Sequence, residues 1–410
     1  MEHYCVVYSL LRTALWGNDH YPLHLEENID WPLIFKELRD HAVEGVASDA
    51  LAYAQNLDLQ VQMKWIHRTS KGIVFWNNLM KLQDELKLMM EQAQIPFVVL
   101  KGAAAAIYYK SPEFRKMGDI DLLVKPEDFD RAFKLCMDHG FELNEEDDGR
   151  HVELKKDQFM VELHHHFADI ADPEIAAFFD CRLETAIDRL EEASVCGHRF
   201  PILPRLENGL VLLSHLDHHM ETGLGLRQII DWMLFVDKEL DDRWWEEEFC
   251  QWTQKLGMHT LAVTVTKMCQ MFLGLKMEGI TWCSGADEKL CRDLMVLTME
   301  RGNFGRKLGD SKKAVPVLGL MSNVARIPAL LQKHGCYNWK ALEKYPWLKP
   351  FAWLYQLCRY IRQGLQRKHP FRKLLEDVRE SKHQANVIDQ LALANNTKKK
   401  LDNYKKGNRK

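Results

Sequence analysis

Hydrophobic residues recur at helical spacing through the first quarter of the chain. The segments 31–38 and 79–89 both place apolar residues three or four positions apart, as one buried face of a helix requires. This spacing ends at Pro96, which follows a short polar stretch. The pattern therefore predicts an N-terminal helical region over residues 1–94.

The pattern changes after Pro96, where short apolar runs alternate with helical segments. Strands are predicted at Phe97–Leu100, Asp119–Val124, Phe141–Leu143, His151–Lys155 and Gln158–His164. Helices are predicted between them, at Ala103–Tyr109 and Pro126–His139. Because helix and strand alternate, residues 95–200 are predicted to form a compact α/β core.

Helical spacing returns after Pro204, which predicts a helical C-terminal domain over residues 201–385. Residues 386–410 are polar and end in a lysine-rich run, so they carry too little apolar surface to pack. They are predicted to be a basic, disordered tail. The fold class expected from this order is α+β, with helical regions on both sides of the core.

The composition is that of a globular protein with two or three domains: 410 residues, of which 46% are hydrophobic and 28% charged. No apolar run approaches the roughly 18 residues that a membrane-spanning helix needs. Glu2 precedes the first apolar stretch and no basic residue does, which is unlike a secretory signal and predicts a cytoplasmic location. The ten cysteines include no Cys-x2-Cys pair, which predicts reduced thiols rather than a disulfide or zinc scaffold.

The charge is unevenly distributed. The net charge is −4, but residues 361–410 hold 14 Lys or Arg against 5 Asp or Glu, so the rest of the chain is strongly acidic. An acidic body repels phosphate backbones, which argues against nucleic acid as the main partner. Residues 345–368 mix aromatic and basic side chains. Such a helix either contacts an anionic membrane surface peripherally or packs its apolar face on its own domain.

Two aspartates mark the predicted strand Asp119–Val124. Residues two apart on a strand face the same side, so Asp119 and Asp121 present their carboxylates together. A divalent cation such as Mg²⁺ relieves the repulsion between them and also binds substrate phosphates. Glu162, on a predicted neighbouring strand, can add a third carboxylate, with Glu153 as the alternative. Three such groups fit two-metal catalysis of an in-line displacement, whereas an isolated Asp-x-Asp is also common on solvated strand ends.

Phosphate-binding candidates surround these acids. Gly102 lies between a predicted strand and a predicted helix, where a missing side chain lets backbone N–H groups approach a phosphate. Lys101 precedes it, and Arg115 lies four residues before Asp119, so both cations are candidates for the nucleotide phosphates. Ordinary surface cations are the alternative for both.

The order Leu-Lys-Gly, Arg-x3-Asp-Ile-Asp-Leu-Leu-Val and Val-Glu-Leu-His resembles the polymerase-β-type nucleotidyltransferase superfamily. Within it, the chain is similar to a bacterial group of largely uncharacterised nucleotidyltransferase family proteins, over roughly residues 90–360. The segments 215–232 and 344–355 also look like that group. The resemblance implies a small mixed sheet and two Mg²⁺ ions, replaceable by Mn²⁺, at Asp119, Asp121 and Glu162.

The resemblance further implies transfer of a nucleoside monophosphate from an NTP, with ATP favoured, to an acceptor hydroxyl, with release of pyrophosphate. The superfamily carries Gly-Ser or Gly-Gly at its phosphate turn, whereas this chain has Gly102-Ala103. A serine contact to the triphosphate is therefore missing, and Lys101 or Arg227 would compensate. The alternative function is a catalytically inactive nucleotide-sensing or partner-binding module with the same fold.

Arg227 and a group of histidines have two interpretations each. Arg227 and Asp231 are four residues apart on a predicted helix, so they form either a surface salt bridge or a pair in which Asp231 orients Arg227 toward the triphosphate. His215 and His219 share a helical face at a spacing that could bind zinc. The expected role of these histidines is instead packing or support of the site, and a zinc hydrolase is the weakest of the hypotheses.

Overall fold

The computed structural model describes residues 2–25, 29–54, 57–147, 149–307, 341–365 and 386–391, with positions 332, 335, 336 and 339. One compact unit covers residues 1–307 together with Leu391, and a second lies within residues 308–390. The boundaries predicted at 94/95 and 200/201 fall inside the first unit.

Three helices build the N-terminal region: α1 (Glu2–Trp16), α2 (Trp31–Asp40) and α3 (Leu59–Gln92). Aspartates are the N-caps of α2 and α3. Asp30 accepts a hydrogen bond from Leu33 N and Asp58 accepts one from Val61 N, both at 3.0 Å. The last half of α3 packs its apolar residues on the sheet that follows. The core is therefore shared across the predicted boundary at 94/95.

The central sheet has five strands: β1 (Phe97–Leu100), β2 (Asp119–Val124), β3 (Glu142–Glu145), β4 (His151–Lys156) and β5 (Phe159–His164). The spatial order is β1-β2-β5-β4-β3. β2 and β5 run parallel, while the other neighbouring pairs are antiparallel. Helices α4 (Gly102–Ala106) and α5 (Phe129–Asp138) lie between the strands in sequence. The expected α+β fold with a small mixed sheet is confirmed.

The two faces of β2 have opposite characters. Ile120, Leu122 and Val124 are buried in the core that α3 covers. Asp119 and Asp121 alternate with them and therefore face the other side of the sheet. That alternation directs the acidic face toward the helices that follow the sheet.

After the sheet come α6 (Pro173–Ala186) and a separate hairpin of β6 (Glu191–Val195) and β7 (His198–Ile202). The hairpin was not predicted, because β6 is largely polar and Pro201 interrupts the pattern of β7. Six further α-helices follow among the described residues up to 307: α7 (Arg205–Thr222), α8 (Leu226–Glu239), α9 (Asp242–Trp244), α10 (Cys250–Lys255), α11 (His259–Phe272) and α12 (Glu288–Arg301). A π-helical turn (Trp245–Phe249) joins α9 to α10, and a 3₁₀ turn (Asn303–Gly305) follows α12. The helical character predicted after Pro204 is thus present up to residue 307.

The second unit contains α13 (Ala341–Lys344), a 3₁₀ turn at Pro346–Phe351 and α14 (Ala352–Leu365). Trp347 and Phe351 are exposed, while Ala352 is buried. Peripheral membrane contact through residues 345–368 stays a prediction, and positions 366–368 lie outside the described residues. No helix in the described ranges has both the length and the apolar character needed to cross a membrane.

The predicted disordered tail differs from the structure at its start. Residues 386–390 are helical, and Val387, Ile388 and Leu391 are buried. Because these apolar residues pack, the prediction of a disordered tail is wrong for residues 386–391. Residues 392–410 lie outside the described residues.

Candidate active site

A cavity opens between the acidic face of the sheet and helices α7 and α8. All seven residues predicted from the sequence to form the site line it: Lys101, Gly102, Arg115, Asp119, Asp121, Glu162 and Arg227. Residues up to 126 positions apart in the chain are thereby brought together, although their contacts differ from one to the next.

Asp121 and Glu162 lie directly opposite each other on the parallel strands β2 and β5. His164, two residues further along β5, places Nε2 at 3.2 Å from both Asp121 Oδ1 and Glu162 Oε2. One ligand atom from each of these three residues lies within 4.8 Å of the others, an arrangement able to hold a metal ion. Asp119 faces the same cavity but is not part of this group.

Lys101 partly neutralises the two carboxylates. Its Nζ lies 2.6 Å from Asp121 Oδ1 and 3.7 Å from Glu162 Oε2. Burial on its own would lower the pKa of Lys101, but Asp121 and Glu162 raise it to about 12. Burial would raise the pKa of Glu162, yet the hydrogen bond from His164 and the charge of Lys101 hold it well below its ordinary value. Lys101 and Glu162 are therefore both charged at neutral pH.

The pKa values of Asp119 and His164 are both raised, but for different reasons. Burial and then the neighbouring Asp121 raise the pKa of Asp119. For His164, burial would lower the pKa, but hydrogen bonds to Asp121 and Glu162 raise it. Three carboxylates thus have one lysine and one histidine at contact distance, while the charges of Arg227 and Arg115 act on Asp119 from further away.

The turn between β1 and α4 has its unusual conformation at Lys101 rather than at Gly102. Lys101 has φ 47° and ψ −115°, a region that non-glycine residues seldom adopt. A Cβ added at Gly102 would meet Met117 Cε at 3.5 Å and Asp119 O at 3.8 Å, which are ordinary contacts. Packing within the protein therefore does not demand glycine at 102, while the strained backbone of Lys101 fixes where its side chain begins.

Arg115 lines the cavity but is already bound. Its Nε and Nη2 donate to the two carboxylate oxygens of Asp231 at 2.8 and 2.6 Å, and both side chains are about 2% exposed. Tyr109 Oη donates to the same Asp231 at 2.7 Å. Burial would lower the pKa of Arg115, but Asp231 raises it. The predicted pairing of Asp231 with Arg227 is therefore wrong, because the carboxylate binds Arg115.

Arg227 is the less committed arginine. Its Nη1 donates to Lys116 O at 2.9 Å, and its buried Nε has no hydrogen-bond partner. No carboxylate lies within ion-pair distance of Arg227 in the part of the chain that the structure describes. Burial and then the charge of Arg115 lower its pKa. Arg227 is thus a cation in the cavity with donors left for a ligand.

The other histidines of the cavity pair with each other or with an acid. His215 Nε2 and His219 Nε2 lie 2.8 Å apart, and His218 Nδ1 lies 2.8 Å from Asp169 Oδ2. Burial and then a neighbouring histidine lower the pKa of both His215 and His219 well below the ordinary value. Among the described residues they form no metal-binding group, so the zinc hypothesis has no support from the geometry.

Glu153, the alternative to Glu162, lies opposite Glu162 on β4. Its carboxylate accepts a hydrogen bond from Asn144 Nδ2 at 2.5 Å, and Glu153 does not line the cavity. Sequence reasoning missed His164 as a partner of the acids, although its spacing of two residues from Glu162 could have revealed it. Phe304, which also lines the cavity, carried no such signal.

The mixed sheet and the carboxylates on its adjoining parallel strands are the arrangement that the resemblance to polymerase-β-type nucleotidyltransferases implied. A profile of the uncharacterised nucleotidyltransferase family matches residues 27–274, which is more than half of the chain. The chain belongs to this family. A search of curated proteins finds no match.

Proposed function

We propose that the protein is a Mg²⁺-dependent nucleotidyltransferase that moves a nucleoside monophosphate from an NTP to an acceptor hydroxyl and releases pyrophosphate. The observation that carries this proposal is the Asp121–Glu162 pair, held in register on parallel strands at a cavity that Arg227 also lines. Membership of the nucleotidyltransferase family supports the reaction class.

The chemistry of the donor set fits a divalent cation. Carboxylate oxygens of Asp121 and Glu162, with Asp119 as the third acid, suit Mg²⁺ and also Mn²⁺. A bound cation would neutralise charge on the transferring phosphoryl group. Because Lys101 Nζ already contacts Asp121, a cation at Asp121 must share that carboxylate with the ammonium group or displace it.

Lys101 and Arg227 are the cations proposed to hold the triphosphate. Both line the cavity, and Gly102 lies beside Lys101 with space where a side chain would be. Arg115 is proposed to act on the nucleotide only indirectly, because its Nε and Nη2 both donate to Asp231. ATP is the favoured donor, and the acceptor is proposed to be a hydroxylated molecule rather than nucleic acid.

The direct test is label transfer. Purified protein, Mg²⁺, a cell extract and each α-³²P-labelled NTP in turn should give a labelled acceptor with one NTP and release unlabelled pyrophosphate. Protein with Asp121→Asn serves as the negative control. Label that appears equally with the Asp121→Asn protein would contradict the assignment of the reaction to this cavity.

A nucleotide-binding module without turnover is the second candidate. The ion pair between Lys101 and Asp121 favours it, because the ammonium satisfies the carboxylate without a metal ion. Gly102-Ala103 in place of Gly-Ser points the same way. Binding of Mg·NTP in calorimetry, together with no pyrophosphate release in any acceptor pool, would favour this candidate over the enzyme.

A further inference from the structure

Residues 301–305, here the Phe304 loop, comprise the last residue of α12 and the turn after it. This loop packs closely against the junction of α7 and α8. A Cβ added at Gly223 would lie 2.2 Å from Gly305 N, and one at Gly225 would lie 2.7 Å from Asn303 Cβ. Any side chain at either glycine would push the loop away. The two glycines therefore allow a close approach of backbone to backbone that sets the position of the loop.

Two buried polar side chains hold the Phe304 loop in place. Arg301 Nη1 donates to Met220 O at 2.8 Å, and Asn303 Oδ1 accepts from Gln228 Nε2 at 2.8 Å. Arg301 and Asn303 are each only 1% exposed. Buried polar contacts of this kind define one position, because any other leaves their groups without partners.

The Phe304 loop holds Phe304 in an unfavourable backbone conformation. Phe304 has φ 54°, a conformation that suits glycine or asparagine better than a bulky residue. Its ring lines the polar cavity and is 46% exposed. His219 meets the ring edge to face at a centroid distance of 4.8 Å, and the Arg227 guanidinium lies 5.8 Å from the ring centroid. Beside these contacts the ring leaves about half of its surface open to the cavity, so a flat ligand can cover it.

We propose that Phe304 is the platform on which the nucleobase of the bound NTP stacks. The inference rests on the proposed function, since it places the base of that same substrate. Every nucleobase has a flat π-face, so an aromatic ring binds it without selecting a particular base. Arg227, next to the ring, is then close to the substrate groups beyond the base. The ligand class is a nucleoside triphosphate, and base identity must be set by other contacts.

Calorimetry with two probes isolates the base. Mg·ATP carries a base, whereas Mg·tripolyphosphate carries the phosphates alone. Phe304→Ala should weaken Mg·ATP binding about tenfold or more, as expected for loss of one base–aromatic stack, and should leave Mg·tripolyphosphate binding unchanged. Phe304→Trp should retain the affinity for Mg·ATP. The same pattern is expected with GTP, CTP and UTP wherever the wild type binds them.

Phe178 provides a matched control. It is 44% exposed and stacks on Trp252 instead of lining the cavity, so Phe178→Ala should leave both affinities unchanged. Wild-type affinity of Phe304→Ala for Mg·ATP, or an equal loss for both probes, would overturn the platform. Failure of the wild type to bind any Mg·NTP would instead refute the proposed function, and the platform with it.

Discussion

Two groups of buried charges border the cavity: Arg115 with Asp231, here the wall, and the carboxylates of the sheet, here the floor. Only the wall has its charges paired one to one. In the wall, Arg115 and Asp231 meet through two short hydrogen bonds, and Tyr109 adds a third to the same carboxylate. Arg115 and Asp231 thus each have an opposite charge at contact distance. The group is complete without any ligand.

The sheet floor is not balanced in this way. Asp119, Asp121 and Glu162 face a single lysine, Lys101, with His164 between the last two acids. Burial and then the charge of Asp121 raise the pKa of Asp119. Burying unpaired charge is unfavourable, so a protein keeps such a group of acids where a ligand will neutralise it.

The paired wall is a structural ion pair, whereas the acidic floor has the character of a binding site. Arg115 and Asp121 nevertheless line the same cavity, and the sequence predicted both as site residues. Arg115 belongs to the first kind and Asp121 to the second. Four substitutions test the distinction.

The largest effect is expected at the floor. Asp121→Asn should lower nucleotidyl transfer at least about a thousandfold, because the variant loses the carboxylate that pairs with Glu162. Its melting temperature should stay close to that of the wild type, since Lys101 keeps Glu162 as a partner. Label transfer and thermal unfolding measure the two quantities.

Asp188→Asn is the matched control for that variant. Asp188 also pairs with a lysine, Lys125, at 2.7 Å, but on the surface and away from the cavity. Turnover should therefore survive. Wild-type turnover of Asp121→Asn itself would remove the floor from the proposed mechanism.

Breaking the Arg115–Asp231 pair of the wall should lower the stability of the protein. Arg115→Met leaves Asp231 buried and unpaired, which should lower the free energy of unfolding by about 3–5 kcal/mol in denaturant titrations. Adding Asp231→Leu to Arg115→Met should recover part of the loss. Arg292→Met, which removes an exposed i,i+4 pair with Glu288, should change stability by less than about 0.5 kcal/mol.

Unchanged stability of Arg115→Met combined with lost NTP affinity would show that Arg115 serves the nucleotide instead. That result would restore the role that the sequence predicted for it.

Replacing Arg227 should affect ligand binding, with an effect smaller than that expected at the floor. With donors left for a phosphate, Arg227→Ala should weaken Mg·NTP binding about tenfold or more in calorimetry, because a charge-assisted bond contributes roughly 1.5–3 kcal/mol. Arg243→Ala, at an exposed arginine paired with Glu247, should have no effect. Equal affinity of the Arg227→Ala protein and the wild type for Mg·NTP would show that Arg227, like Arg115, has a structural role.

The smallest effect is expected from Asp119→Asn. The folded-state pKa of Asp119 is raised above 3.8, so its ionised form destabilises the fold at neutral pH, and asparagine should raise the melting temperature by about 2 °C. As the pH falls below 3.8, both folded and unfolded chains carry the proton and the gain should disappear. Thermal unfolding from pH 7 to pH 3 measures this. A lower melting temperature at pH 7 would mean that Asp119 stabilises a neighbouring cation.

Local pattern was enough for the strands that carry the acids. The predicted strands Phe97–Leu100 and Asp119–Val124 have the bounds that the structure has. The first is a short apolar run of strand-forming residues, and the second begins with alternating acidic and apolar residues. The β6–β7 hairpin was missed, since its strands are short, polar and interrupted by Pro201. The apolar content of a segment, rather than its position in the chain, separates the predicted strands from the missed ones.

The sequence by itself determined the α+β class, the acidic face of β2 and seven of the residues that line one cavity. Tertiary structure alone decided their partners. Arg115 and Asp231 are 116 residues apart, so their ion pair has no local signature, whereas the spacing of Arg227 and Asp231 suggested a pair that does not form. Likewise, the contact of the Phe304 loop with Gly223 joins segments about 80 residues apart. Side-chain periodicity follows from backbone geometry within one element, but the pairing of charges depends on which elements pack together.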